Sequence, residues 1–373
     1  MNEVELEAAP GGVRSFRPTP LQLGMLFHNL QNARDGVDVE QIVVTLPEAI
    51  DAATLARAWN FVVERSDTLR SSFRWHGGGT PLMDVASDLE VALREEDWRG
   101  TPASELPGRM HDFLDADRRE GFALDRAPLL RLALFRTGET AYEFVWTFHH
   151  IIADGRSHVI VLRDAFARYD ELVGRSTRAW PPVARFSDHL ERLAERCEDG
   201  EAFWRERLAN FRSPTPLPVA FPEAKAGGAG ERRRSLSTAN TSALEGFRRA
   251  CGVTTNTLVQ AAWALVLARH CGEGAVVFGA IRACRRSTVP GADEIAGAFI
   301  NTVPVRIAVD EASPLGFWLS AVRDRWSDLR AWELAPLPSV AAWSDVPSGT
   351  PLFESIVMYD RRTLEAALHE LGG

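Results

Sequence analysis

Between Leu130 and Val173 the hydrophobic pattern switches from strand to helix spacing across a break of a few residues, which narrows the available folds. Leu130–Arg136 and Ala141–His149 read as the arms of a hairpin turned by Thr137-Gly138-Glu139. Side chains alternate along a strand, so Tyr142, Phe144, Trp146, Phe148 and finally His150 share one face of the second arm. From about Arg156 to Val173 the pattern becomes helical, with Leu162, Phe166 and Tyr169 on one stripe.

Strand and helix signals alternate in the rest of the first half. Thr19-Pro20 opens a helix through Gln31, with Pro at a position where its missing N–H costs nothing. Val39–Leu46 reads as a strand, and Asp51 caps a helix to about Glu64 with Leu55, Trp59 and Val62 inward. Short strands at Ser71–Trp75 and Pro81–Val85 are parted by Gly77-Gly78-Gly79, and a helix covers Ala103–Arg118. The second half opens with charged helical sequence, Phe186–Phe211, then a Pro- and Gly-rich loop, Pro214–Gly230. Strands follow at Arg233–Ser237, Ala275–Ala280, Ile300–Val309 and Phe353–Tyr359, with helices at Thr241–Ala250, Thr257–His270 and beyond Ser313-Pro314. This order is no regular parallel βαβ series. It predicts two α/β lobes, 1–177 and 178–373.

Composition excludes several classes. The 373 residues are 45% hydrophobic and 25% charged, as in an ordinary soluble globular chain. A net charge of −9 argues against a general nucleic-acid binder, and Lys225 is the single lysine, so local basic patches are arginine. The acidic N-terminus has no secretory pattern, and the longest apolar stretch, Leu258–Ala268, falls short of the ~20 residues a membrane helix needs. A cytoplasmic chain is expected. Cys197, Cys251, Cys271 and Cys284 form no CxxC pair and read as small buried hydrophobes.

The chemistry concentrates in Phe148-His149-His150-Ile151-Ile152-Ala153-Asp154-Gly155-Arg156-Ser157. An imidazole at a strand end can take a proton near neutral pH, and the helix N-terminus behind it offers N–H groups to a developing oxyanion. On this composition HHxxxDG arises by chance on the order of once in a thousand such chains. No metal-ligand set, Walker-type loop or G-x-S-x-G stands beside it.

The sequence resembles the condensation domains of nonribosomal peptide synthetases, in the chloramphenicol acetyltransferase-like superfamily that HHxxxDG defines. Further motifs occur in family order. Pro20-Leu21-Gln22-Leu23-Gly24-Met25-Leu26 is similar to the first, and Arg65-Ser66-Asp67-Thr68-Leu69-Arg70-Ser71-Ser72-Phe73 to the second, with Ser66 where His is usual. Ala184–His189 loosely matches the fourth, Phe278–Arg285 the fifth with Cys284 for Gly, and Gly297–Arg306 the sixth. Departures are Leu334 in place of the usual His after Glu333, and Met358-Tyr359-Asp360-Arg361-Arg362 where the family has Asn-Tyr-Pro.

That resemblance implies a V-shaped pseudo-dimer of two lobes with mixed sheets and a central tunnel, the C-terminal lobe incomplete because family members continue well beyond this point. The exposed sheet edge would then favour poor solubility or association. Met1, shortly before the first motif, suits a free-standing protein or the opening domain of a synthetase. The implied reaction is acyl transfer, joining a carrier-bound acyl or aminoacyl thioester to the amine of a second carrier-bound amino acid. His150 is the implied active-site residue, as general base or as a positioning group; His149 supports the loop, and Asp154-Gly155 makes the turn. Asp154 is expected to pair with Arg285, while Asn301 and Ser157 are candidate substrate contacts. No cofactor or metal is expected on the domain itself; the partners would be acidic donor and acceptor carrier proteins with phosphopantetheine arms, met by arginine patches. Ester formation, acyl transfer from coenzyme A, epimerisation and a silent recruiting platform are the other readings. Heterocyclisation is disfavoured, because aspartate stands there in place of His149 and His150.

Overall fold

The structure, a computed structural model, describes residues 13–31, 36–75, 79–182, 184–196, 200–217 and 230–360. The chain forms two compact units. One runs to Glu195 and also takes in Thr288–Ile300; the other holds Arg196–Ser287 and Asn301–Arg361.

In the first unit, β1 (Arg14–Phe16) and α1 (Pro20–Gln31) precede β2 (Val39–Leu46), α2 (Ala52–Arg65), β3 (Ser71–Arg74) and β4 (Leu82–Val85). Then come β5 (Leu93–Asp97), α3 (Leu106–Glu120), β6 (Leu130–Arg136), β7 (Tyr142–His149), α4 (Gly155–Leu172) and α5 (Phe186–Arg196). Four strands make a mixed sheet in the order β2-β7-β6-β5, antiparallel except where β5 runs parallel to β6. A smaller antiparallel sheet has the order β1-β4-β3.

The strand alternation that marks β7 in the sequence sorts its side chains to two cores. Tyr142, Phe144, Trp146 and Phe148 enter the main core with Trp59 of α2 and Val161, Leu162 and Ala165 of α4. Trp59 meets Phe144 at 5.4 Å and Trp146 at 5.2 Å between ring centroids. Val145 points the other way, joining Phe135 and Trp98 under Met110 and Phe113 of α3. Burying each such ring contributes about 1.5–3 kcal/mol, so the sheet is held from both faces. Asp51 caps α2 as the sequence predicts, accepting from the Thr54 N–H at 2.9 Å.

Two short strands were not foreseen, β1 and β5. β5 reads LREED and gains its ladder only from β6; charged side chains on an edge strand blunt it against further pairing and erase the alternation. The expected lobe boundary also shifts. Phe186 and Leu190 of α5 are buried in the first core with Ala292, Ile295, Ala296 and Phe299, so a late segment returns to the earlier unit.

In the second unit, α6 (Glu201–Arg207), α7 (Thr238–Cys251) and α8 (Thr255–Cys271) precede β8 (Ala275–Arg282), β9 (Asn301–Ala308), α9 (Leu315–Asp328), α10 (Leu337–Ala342) and β10 (Ile356–Val357). The sheet order is β10-β8-β9. Gly279 lets the Phe353 ring lie against the β8 backbone, where a Cβ would fall within 2.5–2.9 Å of ring atoms. Arg282 pairs with Glu333, both buried, and lies 4.1 Å over the Trp326 ring. The strand expected at Arg233–Ser237 is instead exposed chain without a ladder, and the one expected at Phe353–Tyr359 shrinks to two residues. Gly77-Gly78 and most of the Pro/Gly-rich passage lie outside the described residues, as does Cys197; Cys251, Cys271 and Cys284 form no disulfide among the described residues. Among the described residues no single helix is long and apolar enough to cross a membrane.

Candidate active site

β7 ends at His149, and His150–Ile152 close a 3₁₀ turn before Asp154 caps α4. The sequence reading carried strand alternation through to His150; the turn, rather than the pleat, aims this ring. The His150 N–H donates to Asp38 O at 2.8 Å, tying the turn to the start of β2. Nδ1 of His150 lies 2.7 Å from Ala153 O. A carbonyl only accepts, so Nδ1 carries the hydrogen, and in the neutral ring Nε2 keeps the lone pair. The side chain is about a quarter exposed, at 25%. Gln22, fully buried in α1, donates from Nε2 to Ile151 O at 3.0 Å and so braces the same turn.

His149 does different work. Its Nδ1 accepts the Ile151 N–H at 3.2 Å, and its ring is buried with the Phe122 ring 6.4 Å away. Burial pushes its pKa down to about 4, leaving it neutral at physiological pH. It shapes the turn from inside.

The Asp154 carboxylate is buried. Oδ1 accepts the Ser157 N–H at 2.9 Å and faces the Ser157 hydroxyl at 2.7 Å, while Oδ2 accepts the Phe299 N–H at 3.1 Å. Ser157 Oγ also lies 2.9 Å from Gly297 O and accepts the Gly297 N–H at 2.8 Å. The Ser157 side chain, expected as a substrate contact, is fully buried here and stitches α4 to Gly297. Gly155 is exposed at the start of α4, and a Cβ added there would meet nothing within 4 Å.

Arg285, the expected ion partner of Asp154, belongs to the second unit, in a 3₁₀ turn at Arg285–Ser287. Asn301 is also there. Its Nδ2 donates to Glu333 O and Ala335 O, both at 2.9 Å, and its Oδ1 accepts the Thr302 N–H at 3.0 Å. Both amide hydrogens are thus used on backbone carbonyls, so Asn301 ties β9 to a loop and has no amide hydrogen left for a substrate.

Two residues beside His150 escaped the sequence reading. Glu40 sits opposite Phe148 in the β2–β7 register, and its Oε1 lies 3.4 Å from His150 Nδ1. His158, in the first turns of α4, places Nε2 3.3 Å from Glu40 Oε2. Its ring lies 4.9 Å from Phe148 and 6.0 Å from Trp146, and burial lowers its pKa. A signal for Glu40 was present: Leu46, Val44, Ile42 and Glu40 share one strand face, and a charge ends an otherwise apolar series.

The condensation-domain family model matches residues 16–370. A linear gramicidin synthase protein of Brevibacillus parabrevis is 35% identical over 95% of this chain, which spans 5% of that protein. Chondramide synthase of Chondromyces crocatus is 38% identical over 91%, the chain spanning 9% of it. The fold matches the starter condensation domain of rhizomide synthetase with a TM-score of 0.73 at 20% identity, covering 92% of this chain and 78% of that one. It matches the first condensation domain of the calcium-dependent antibiotic synthetase with a TM-score of 0.72 at 21% identity, covering 93% and 82%. The HHxxxDG turn, the mixed sheet that ends in it and the match along nearly the whole length lead to one conclusion: this chain belongs to the condensation-domain family.

Proposed function

We propose that the domain forms an amide bond by acyl transfer, from a carrier-bound acyl or aminoacyl thioester to the amine of a second carrier-bound amino acid, in nonribosomal peptide synthesis. The observation that carries the reading is the 2.7 Å contact of His150 Nδ1 with Ala153 O: in the neutral ring it puts the hydrogen on Nδ1 and leaves Nε2 as the nitrogen that can accept a proton. The amine attacks the thioester carbonyl, giving a tetrahedral species with a protonated nitrogen. His150 Nε2 takes that proton, the C–S bond breaks, and the leaving thiolate recovers it. The products are the amide and a free thiol, with the imidazole regenerated. Both substrates would arrive on phosphopantetheine arms of carrier proteins, the thioester sulfur being the end of one arm. Asp154, Ser157 and Gln22 do not react; they hold the turn and the helix on which Nε2 is aimed.

The test offers two loaded carriers and follows the product by mass spectrometry. Wild type is expected to give the extended acyl chain on the acceptor carrier, and His150→Ala to lose about 10²–10⁴ in rate, the usual contribution of a positioned base. Equal turnover in His150→Ala would overturn the assignment. Product with a hydroxyl acceptor in place of the amine would replace amide by ester formation.

A further inference from the structure

We infer that Glu40 is a positioning residue for His150, its carboxylate standing as the counter-charge for the imidazolium formed when Nε2 takes a proton. This deepens the proposed function and rests on His150 as the proton acceptor.

Three observations carry it. First, Glu40 occupies a core-facing position of β2. Ile42 and Val44, the next members of that face, pack against the main core, where a carboxylate is costly without a partner. Second, its two oxygens are divided between two rings: Oε1 at 3.4 Å from His150 Nδ1, Oε2 at 3.3 Å from His158 Nε2. The side chain is about one-third exposed, at 35%, so its field reaches His150 only partly screened. Third, the hydrogen on Nδ1 is already given to Ala153 O, so Glu40 is not needed to choose the tautomer. What remains for it is charge. An opposite charge within ~4–6 Å favours the charged form of a group, so the carboxylate stabilises His150 at the moment it becomes cationic.

The surroundings do not offer an obvious substitute. Asp38, also on the β2 side, faces His28 of α1 at 3.1 Å, while Asp154 is engaged with Ser157 and Phe299. His149 and His158, the remaining titratable neighbours, are kept neutral by burial and contribute no positive charge near physiological pH.

The experiment compares wild type, Glu40→Gln, Glu40→Asp and His150→Ala in the two-carrier assay across pH. In parallel, diethyl pyrocarbonate, which acylates neutral imidazole, is used to modify His150, read by mass spectrometry of its peptide. Glu40→Gln should lower kcat about tenfold, a part of the ~10²–10⁴ a positioned base supplies, with KM changed less than about twofold. The acid limb of its kcat/KM profile and the midpoint of His150 modification should both move to lower pH, because the cation has lost its partner. Glu40→Asp should recover most of the rate. Since the modification needs no turnover, it separates two failures. Wild-type kcat and midpoint in Glu40→Gln, with His150→Ala inactive, overturn this inference alone. Full activity in His150→Ala overturns the reading beneath it. A Glu40→Gln rate loss without any shift in profile or midpoint makes the residue structural, and overturns the inference as well.

Discussion

Asp154 Oδ2 accepts the backbone N–H of Phe299 at 3.1 Å, across 145 residues of chain. The same carboxylate caps α4 through Ser157, so one buried side chain fixes both the helix behind the His-His turn and the late segment that returns to the first unit. In this chain the Asp of HHxxxDG is a structural fastening.

Asp154→Ala should therefore act on folding. It removes an N-cap and leaves the Phe299 N–H and the Ser157 hydroxyl without this acceptor, a cost of about 2–4 kcal/mol. Urea unfolding monitored by tryptophan fluorescence checks the loss. A variant as stable as wild type would remove this account of Asp154.

His149 makes stability depend on pH. Folded, its ring stays neutral to about 4; unfolded, it takes a proton below its ordinary value of 6.5. In that window the unfolded chain binds more protons, so stability falls as pH falls, by up to about 3 kcal/mol at the lower end. His158, lowered for the same reason, adds to the same slope. His149→Gln should flatten it, and urea midpoints between about pH 7.5 and about pH 5 measure the difference. An unchanged slope would show that His149 takes up its proton equally in the folded and unfolded chain.

Gly297 stands where the Phe186 ring crosses the backbone, and a Cβ there would overlap that ring. Gly297→Ala should cost about 1–3 kcal/mol through overpacking. Combined with Phe186→Leu, the loss should be smaller than the sum of the two, with a coupling of about 1 kcal/mol or more. Additive losses in thermal unfolding would rule out the contact as the cause.

Gly155 behaves oppositely. It lacks the positive φ that would demand glycine, and a methyl there meets nothing within 4 Å. Gly155→Ala should keep stability or raise it by up to about 1 kcal/mol by narrowing the unfolded ensemble. Paired denaturation and product assays then separate fold from function: a stable variant with lost turnover shows that the reaction needs the bare position. A loss of stability would refute the open geometry.

Local pattern carried the reading wherever a residue's neighbours in sequence were also its neighbours in space. The β6–β7 hairpin, the Asp51 cap of α2 and the stripe of α4 follow from alternation, a capping side chain and helical spacing, all properties of a few consecutive residues. β5 and β1 escaped because an edge strand takes its ladder from a partner rather than from its own side chains. The bonds of Ser157 to Gly297 and of Asn301 to Glu333 and Ala335 were likewise illegible in the sequence, because each partner lies more than thirty residues away.

By itself, then, the sequence determined the strand-turn-helix that presents His150, and with the ordered motifs the family. Which nitrogen of His150 faces Ala153 O depends on the conformation of a turn only three residues long, which residue types do not specify and which the folded chain displays. Tertiary structure alone decided that Glu40 stands beside that ring, because that depends on the register of β2 against β7, two strands about a hundred residues apart. Side-chain periodicity is written in consecutive residues; which strand lies alongside which is settled when distant apolar faces bury each other.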